Sequence, residues 1–552
     1  MSKSILTSWQ RLIGLLKLDS KDIKQVFYYA IFAGLVNLSL PLGIQAIINL
    51  LQGAQISSSW VVLVILVTAG VAFVGLLQLM QMRIIENVQQ KIFTRSSFEF
   101  AYRFPKIKMS ELRNYYPPEL ANRFFDTLTI QKALSKILVD FPSAILQIIL
   151  GLILLSFYHP FFIIYGIMLL ILIYVVFKFS AQRGLDTSLD ESEQKYKVAH
   201  WLQEVARSVL SFKLSGKTNL ALHKNDQLVS SYLDSRESHF KILVQQFIKL
   251  IGFKVLVTAG LLVIGGALVL NQQMNIGQFV AAEIIILLVI NSVEKLILGL
   301  ESFYDVLTSI EKLGQVVDKE LESQEGDNIY TEERPITVEV VNVGYKVADR
   351  EQPIIDNVSL EIQPQDRILI YGSQGSGKSS LLKLIGGLYT PTRGNIFINN
   401  MPLSGIKINS YRSLIGQSLP EESPFEGTLR DNLTFGDPSI TQDALNEVLD
   451  IVGLNDFVKS QSLGLRTILY PEGKRLSTTI SRKLVLARSI LKQPKLLLLE
   501  DPLEQFDKDE ANRIMNFLIR KENPWSLVVV SHNMNWKKVC NKTLQLESGN
   551  FV

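Results

Sequence analysis

The chain is nearly devoid of cysteine: Cys540 is the single one in 552 residues. An internal disulfide framework and any CxxC metal site are therefore excluded. No cysteine precedes position 540, which also excludes a cysteine-protease domain in the N-terminal part of this chain. Histidine is scarce too. Of the five, His159, His200, His223 and His239 show no metal-ligand spacing and read as loop or interface residues. A net charge of +4 gives no support to a nucleic-acid partner. No tandem repeat is evident, and no low-complexity tract occurs beyond the acidic, polar stretch 318–335 (DKELESQEGDNIYTEERP). Residues 51–82 contain no Lys, Arg, Asp or Glu at all.

What the chain does have is apolar sequence, 47% of its residues, concentrated before residue 300. Six runs are long enough to cross a bilayer, about 20 residues each: 26–50, 60–82, 136–158, 160–180, 250–270 and 276–300. Trp9 to Leu18 is short and amphipathic and lacks a small-residue cleavage site, so it reads as a helix on the membrane face, not a signal peptide. The connections near His159 and over 271–278 (NQQMNIGQ) are uncharged. The two long connections are basic: one carries Arg83, Lys91, Arg95, Arg103 and Arg123, the other Arg183, Lys195, Lys197, Lys213 and Lys224. Basic loops stay cytoplasmic. Both termini and both long loops are expected inside, with three short turns outside. Glu283 falls within the sixth run, as a contact for cargo or protons or as a hydrogen bond between helices.

After residue 335 the pattern changes to short β-rich runs alternating with helical ones: ITVEVVNV, RILIYG, KLLLLE, SLVVVSH. This is an α/β pattern with a partly parallel sheet. Within it, RILIYGSQGSGKSSLLKLI reads strand, glycine-rich loop, helix. Gly372, Ser373, Gln374, Gly375, Ser376, Gly377, Lys378 and Ser379 match GxxxxGK[ST], with Ser380 following. Such a loop closes backbone N–H groups around phosphates at a helix N-terminus, its lysine reaches the β- and γ-phosphates and its serine ligates Mg2+.

With that motif in place, nearly the whole chain resembles an ABC transporter of the exporter subclass, a half-transporter with membrane and ATPase domains in one chain. LIGQSLPEESPFEGTLRDNLTFG resembles the glutamine loop, with Gln417 as the glutamine; VVVSHN resembles the switch-histidine strand, with His532; LLLLEDPLEQFD resembles Walker B and the D-loop, with Asp507 closing the latter. GKRLSTTISRKLVLARSIL stands where the signature helix belongs, and YYPPELANRFFD resembles the first coupling segment. The resemblance implies an α-helical six-span transmembrane domain over 1–320, a linker over 321–335, and an α/β P-loop NTPase domain with a helical signature subdomain over 336–552. It implies ATP and Mg2+ as cofactors, with Ser379, Gln417 and Glu500 at the metal and Asp501, His532 and Gln417 in catalysis.

Three departures from the family pattern bear on activity. The Walker B acids, normally Asp then Glu, are Glu500 then Asp501. Glu500 then takes the metal place and Asp501, one methylene short, takes the place that polarises water. Slow hydrolysis with nucleotide binding retained is expected; a small backbone shift restoring reach is the alternative. The signature LSGGQ is replaced by Leu476-Ser477-Thr478-Thr479-Ile480, which keeps Ser477 and loses the glycines that allow close backbone approach. At the adenine platform, Tyr345 falls at the core-facing place and Val347 at the stacking place, with Tyr345 the stacking residue if the register shifts by two.

The resemblance further implies a dimer in which each ATP lies between one subunit's P-loop and the other's signature. Because both defects lie on one chain, a homodimer with weak turnover is favoured over a heterodimer. Peptide or protein, lipid and hydrophobic compounds are all open as cargo, with a periplasmic adaptor as a further partner and the bacterial inner membrane as the expected location. The rival reading is a hydrolysis-poor ATP-binding membrane protein that gates a partner transporter.

Overall fold

The computed structural model describes residues 7–52, 58–178, 181–329 and 335–552. They form two compact units. One takes the described residues up to Lys106 together with Asn114–Lys319; the other takes Ile107–Arg113 and the described residues from Glu320 to Val552.

The first unit is helical. Helices Ser20–Gln52, Ser58–Arg103, Asp126–Ser156, Leu220–Leu270 and Ile276–Val317 are long and apolar enough to cross a membrane. Helix Phe161–Lys178 is shorter, 18 residues or about 27 Å at 1.5 Å per residue. The end of the expected run 160–180, residues 179–180, lies outside the described residues, as do 53–57 and the 330–334 part of the expected linker. In hydrocarbon every backbone polar group must be satisfied internally, which is why these apolar runs are helices. Val62, Ile65, Leu66 and Leu79 of Ser58–Arg103 are exposed, as befits a surface solvated by lipid. The last helix holds the centre, with Ala281, Ala282, Ile285 and Val289 fully buried. Glu283 is half-buried on that helix, and Glu294 pairs with Lys254 at 2.8 Å.

The helices outrun the apolar runs. Ser58–Arg103 has 46 residues and Leu220–Leu270 has 51, more than twice the ~30 Å bilayer core at 1.5 Å per residue. Hydropathy marked only the membrane part, since the extensions are polar. They are tied by ion pairs instead: Arg95 to Asp19 at 3.1 Å and Arg236 to Glu191 at 3.1 Å. The amphipathic helix Ser8–Leu18 starts at a capping box of Thr7 and Gln10. Its Leu12 is buried beside Val306, Leu307 and Ile310, Arg11 pairs with Glu311 at 2.5 Å, and Trp9, Ile13 and Leu18 stay exposed.

The second unit is α/β. Its strands are β1 Val338–Tyr345, β2 Ile355–Ile362, β3 Arg367–Tyr371, β4 Arg393–Ile398, β5 Met401–Pro402, β6 Ile415–Ser418, β7 Gly427–Thr428, β8 Ile468–Leu469, β9 Leu496–Glu500, β10 Ser526–Val530, β11 Lys542–Glu547 and β12 Asn550–Phe551. A six-stranded sheet runs β12-β11-β3-β10-β9-β6, parallel except at β12. An antiparallel sheet runs β2-β1-β4-β5, and β7 pairs β8. The parallel strands are buried on both faces, which explains their unbroken apolar runs. Leu496, Leu498, Val528 and Val530 enter one core; Leu497, Leu499, Leu527 and Val529 enter the other. Helices Leu429–Thr434, Gln442–Ile451 and Thr478–Leu491 pack on the second core. Register pairs Val530 with both Glu500 and Ile370, so β3, β9 and β10 end level at one edge of the sheet. Ligands of parallel α/β sheets bind outside that carboxyl edge.

Candidate functional site

At that edge β3 turns through Gly372–Gly377 into helix Lys378–Ile385. The turn depends on backbone that L side chains rarely adopt: φ is +153° at Gly372 and +102° at Gly377. A Cβ on Gly372 would stand 1.9 Å from the Leu546 carbonyl oxygen, and one on Gly377 2.7 Å from that of Ile354. A Cβ on Gly375 (φ +82°) would meet nothing within 4 Å. Gly372→Ala is accordingly expected to abolish nucleotide binding and to lower Tm well beyond Gly375→Ala, whose backbone strain costs about 1–3 kcal/mol. Thermal unfolding and ATP titration of the two variants check this; equal effects would mean the collision relaxes away.

Lys378 is buried, and its ammonium donates to the carbonyls of Gly372 (3.0 Å) and Ser373 (2.6 Å) and to Ser376 Oγ (3.3 Å). The lysine thus lies folded back under the loop that precedes it. Gln374 and Gly375 form the exposed crest, and Ser380 is half-buried one residue into the helix after Ser379. Ser373 is held from outside: its N–H donates to Glu547 Oε1 at 3.0 Å and its hydroxyl to the other carboxylate oxygen. Those bonds, the hydroxyl's first, draw the Glu547 carboxyl below its usual range.

Ser379 Oγ donates to Glu500 Oε1 at 2.5 Å. Glu500 Oε2 is buried with no hydrogen-bond partner among the described residues. Burial raises the Glu500 carboxyl above its ordinary range, the Ser379 hydroxyl opposes the shift, and the neighbouring charges of Glu421 and Asp501 add to it. A hydroxyl and a carboxylate with one spare buried oxygen make a hard-oxygen donor pair, and so fit a small divalent cation such as Mg2+.

Asp501 follows with φ +42°, a left-handed conformation that aspartate tolerates better than most residues. Its N–H donates to the Val530 carbonyl at 2.8 Å, and its Oδ1 accepts from the His532 N–H at 3.3 Å. The His532 side chain is exposed beside it. Glu500 and Asp501 line a cavity of about 220 Å³ with Pro420, Arg482, Glu504 and Phe506. The loop Gly372–Gly377, Lys378, Ser379, Glu500, Asp501 and His532 therefore share one edge of one sheet.

Gln417 does not join them. It lies inside β6, paired with Leu498 two residues before Glu500. Its amide rests against Gly386, where a Cβ would stand 1.9 Å from Nε2. Gly386 is seven residues past Ser379, about 10 Å along the helix. Gln417 lines a different cavity, with Arg412, Phe435 and Arg488. The expected metal and catalytic roles of Gln417 are corrected accordingly. Pro420 borders the acid pair instead, with no polar side chain to offer, and the next residue, Glu421, pairs with Lys383 at 2.6 Å. The signal that would have exposed this is strand length: only residues past the end of β6, at Ser418, can line the carboxyl edge.

Tyr345 and Ser477 also stand outside the group. The Tyr345 ring closes β1 and stacks on Tyr389, centroids 5.0 Å apart and planes 11° off parallel. Val347 is buried, so no solvent-facing stacking surface is formed by it. Ser477 is the N-cap of helix Thr478–Leu491, its hydroxyl accepting from the Ile480 N–H at 3.2 Å. Thr479 Oγ1 donates to the Gln505 carbonyl at 3.2 Å. Asp507 is the N-cap residue of helix Lys508–Leu518. Glu547 had no sequence signal, being 174 positions from the serine it grips.

Residues 26–293 match the family model described as ABC transporter transmembrane region, and residues 355–504 the model described as ABC transporter. Among curated proteins the chain is similar to the alpha-hemolysin translocation ATP-binding protein HlyB of Escherichia coli O157:H7. The two are 29% identical over 305 residues, 55% of this chain and 43% of that protein. It is also similar to the leukotoxin translocation ATP-binding protein LktB of Mannheimia haemolytica, 26% identical over 329 residues, 59% of this chain and 46% of that protein. These alignments span less than half the length of either relative. Among solved structures, a bacterial Atm1-family ABC exporter with ATP bound superposes with a TM-score of 0.87, covering 96% of this chain and 95% of that one at 16% identity.

Proposed function

Since this chain belongs to the ABC transporter family and is a multi-pass membrane protein, we propose that it is an ATP-driven exporter half-transporter whose hydrolysis is slow. The observation that carries the reading is the carboxyl edge of the parallel sheet, where the glycine loop, Lys378, the Ser379–Glu500 pair and Asp501 converge. The loop amides and Lys378 hold the triphosphate. Ser379 and Glu500 would hold Mg2+, which supplies charge neutralisation on the phosphate oxygens when bound. Asp501 polarises the attacking water with a shortened reach, and the exposed His532 stands beside it.

The transmembrane domain is taken as 1–320, the linker as 321–335 and the nucleotide-binding domain as 336–552, in a bacterial inner membrane with the ATPase inside. The working unit is a homodimer, because a chain carrying both the acid swap and LSTTI would impair both sites of any heterodimer. Closure is then weakened at the signature, where Ser477 remains and the glycines do not. ATP shifts the bundle between arrangements only by its differential affinity for them. The names of the two curated relatives support transport over a regulatory role, and a peptide or protein as cargo.

In proteoliposomes phosphate release from ATP is expected to depend on magnesium and to fall to the enzyme-free blank in EDTA. Release that survives chelation, or none with magnesium present, would remove the ATPase from the account.

A further inference from the structure

The first unit holds a concavity of about 690 Å³, walled by the 115–123 segment, helix Ala181–Arg207, the start of Leu220–Leu270 and the end of Ile276–Val317. Its size is that of a small-molecule site, about 300–1,000 Å³. Two cations line it from within the protein rather than from its surface. Arg123 is 8% exposed and Lys312 7%. The Arg123 guanidinium lies 3.6 Å from the Tyr196 ring centroid, and its Nη2 is 3.4 Å from Glu119. Its Nε and Nη1 are buried with no hydrogen-bond partner among the described residues. Lys312 makes no ion pair among the described residues, and its ammonium lies 5.5 Å from the same ring.

Two of the acids around the concavity are committed elsewhere, Glu193 to Lys197 at 2.9 Å and Glu204 to Arg207 at 2.7 Å, while the partly exposed Glu119 is shared, one oxygen 3.4 Å from Arg123 Nη2 and the other 3.0 Å from His200 Nδ1. Asp126, also buried, accepts from the Tyr196 hydroxyl. Two buried cations thus face one buried carboxylate. Buried charge without a partner is costly, and buried donors are normally satisfied. A fork of free guanidinium N–H groups beside an ammonium is the donor set that binds oxyanions. Trp201 adds a flat wall under Lys224, whose ammonium is 4.2 Å from its centroid.

We propose that this concavity binds a water-soluble organic phosphate or carboxylate, its oxyanion held by Arg123 and Lys312 and its body laid against Trp201. A lipid headgroup is the poorer source of the same chemistry. Lys312 lies 12 residues past the apolar run that ends at residue 300, about 18 Å beyond it at 1.5 Å per helical residue.

The test uses the full chain in zwitterionic nanodiscs, in a Lys378→Ala background that weakens the P-loop's own phosphate site, with inorganic phosphate as probe. Phosphate is expected to raise Tm and to bind saturably by calorimetry. Adding Lys312→Met is expected to weaken that binding at least tenfold and remove the Tm rise, while raising Tm without phosphate, because an unpaired buried charge is gone. Lys312→Arg is expected to keep both the binding and the shift, which a merely structural loss would not. No binding in the Lys378→Ala protein, or binding unchanged by Lys312→Met, overturns the site. Displacement of phosphate when anionic lipid enters the nanodiscs overturns the soluble ligand in favour of a headgroup.

Discussion

Replacing Lys378 by alanine is expected to weaken ATP binding by about 10²-fold, which corresponds to the upper end of the ~1.5–3 kcal/mol that a charge-assisted hydrogen bond contributes. The lysine is buried and already aimed along the loop, spanning from Gly372 and Ser373 to Ser376. Its three donors are therefore gathered where phosphate oxygens enter the cradle. Its removal also frees two loop carbonyls, so part of the loss comes from a less ordered loop. Lys378→Arg separates these contributions. It keeps the charge but not the compact ammonium, and should recover stability more than affinity. Titration with a fluorescent ATP analogue, read beside thermal unfolding, makes the comparison. An affinity within threefold of wild type would show that the loop amides alone carry the triphosphate.

The second large effect has the opposite sign. Asp501→Glu is expected to raise the hydrolysis rate by about 10²-fold, because a misplacement near 1 Å costs on the order of that factor and one methylene restores about 1.5 Å. The carboxylate faces a cavity of about 220 Å³ shared with Glu500 and Arg482, so the longer side chain has room. The backbone at φ +42° suits aspartate better than glutamate, which makes a small loss of stability the expected accompaniment. Its neighbour behaves differently. Glu500 already reaches the Ser379 hydroxyl at 2.5 Å, so Glu500→Asp withdraws a contact and should weaken magnesium dependence. The two sites adjoin, and the double variant is expected to depart from the product of the single effects. Phosphate release under saturating MgATP measures all three. A rate unchanged by Asp501→Glu would mean that the aspartate already reaches its water.

Much of this was legible in the chain because its signals are local. Apolar runs mark bilayer crossings, and a strand, glycine turn and helix in sequence mark a phosphate cradle, so the two halves and the loop Gly372–Ser379 could be read directly. Helix ends could not. Residues 220–249 carry no membrane signal, yet they continue the helix that crosses as 250–270, because polar helix is as regular as apolar helix and only burial distinguishes them. The glutamine assignment failed for a related reason. Gln417 has the right residue type in a plausible run, but β6 extends through Ser418, and strand pairing turns its amide toward Gly386. Contacts between distant positions leave no trace in a single sequence: Glu547 on Ser373, or Tyr196 under Arg123. Nor does LSTTI as a sequence reveal that Ser477 caps its helix and that Thr479 bonds the Gln505 carbonyl.

The central claim is that the cradle grips a triphosphate while the acid pair splits water slowly. A single incubation of the purified chain with radiolabelled ATP and magnesium, filtered and separated over time, reads both halves at once. The account predicts nucleotide retained on the protein and still largely ATP after many seconds, with conversion slower than the ~1 s⁻¹ lower end of ordinary enzymes. A filter that retains no label, or retained label that is already ADP within the first second, would contradict it.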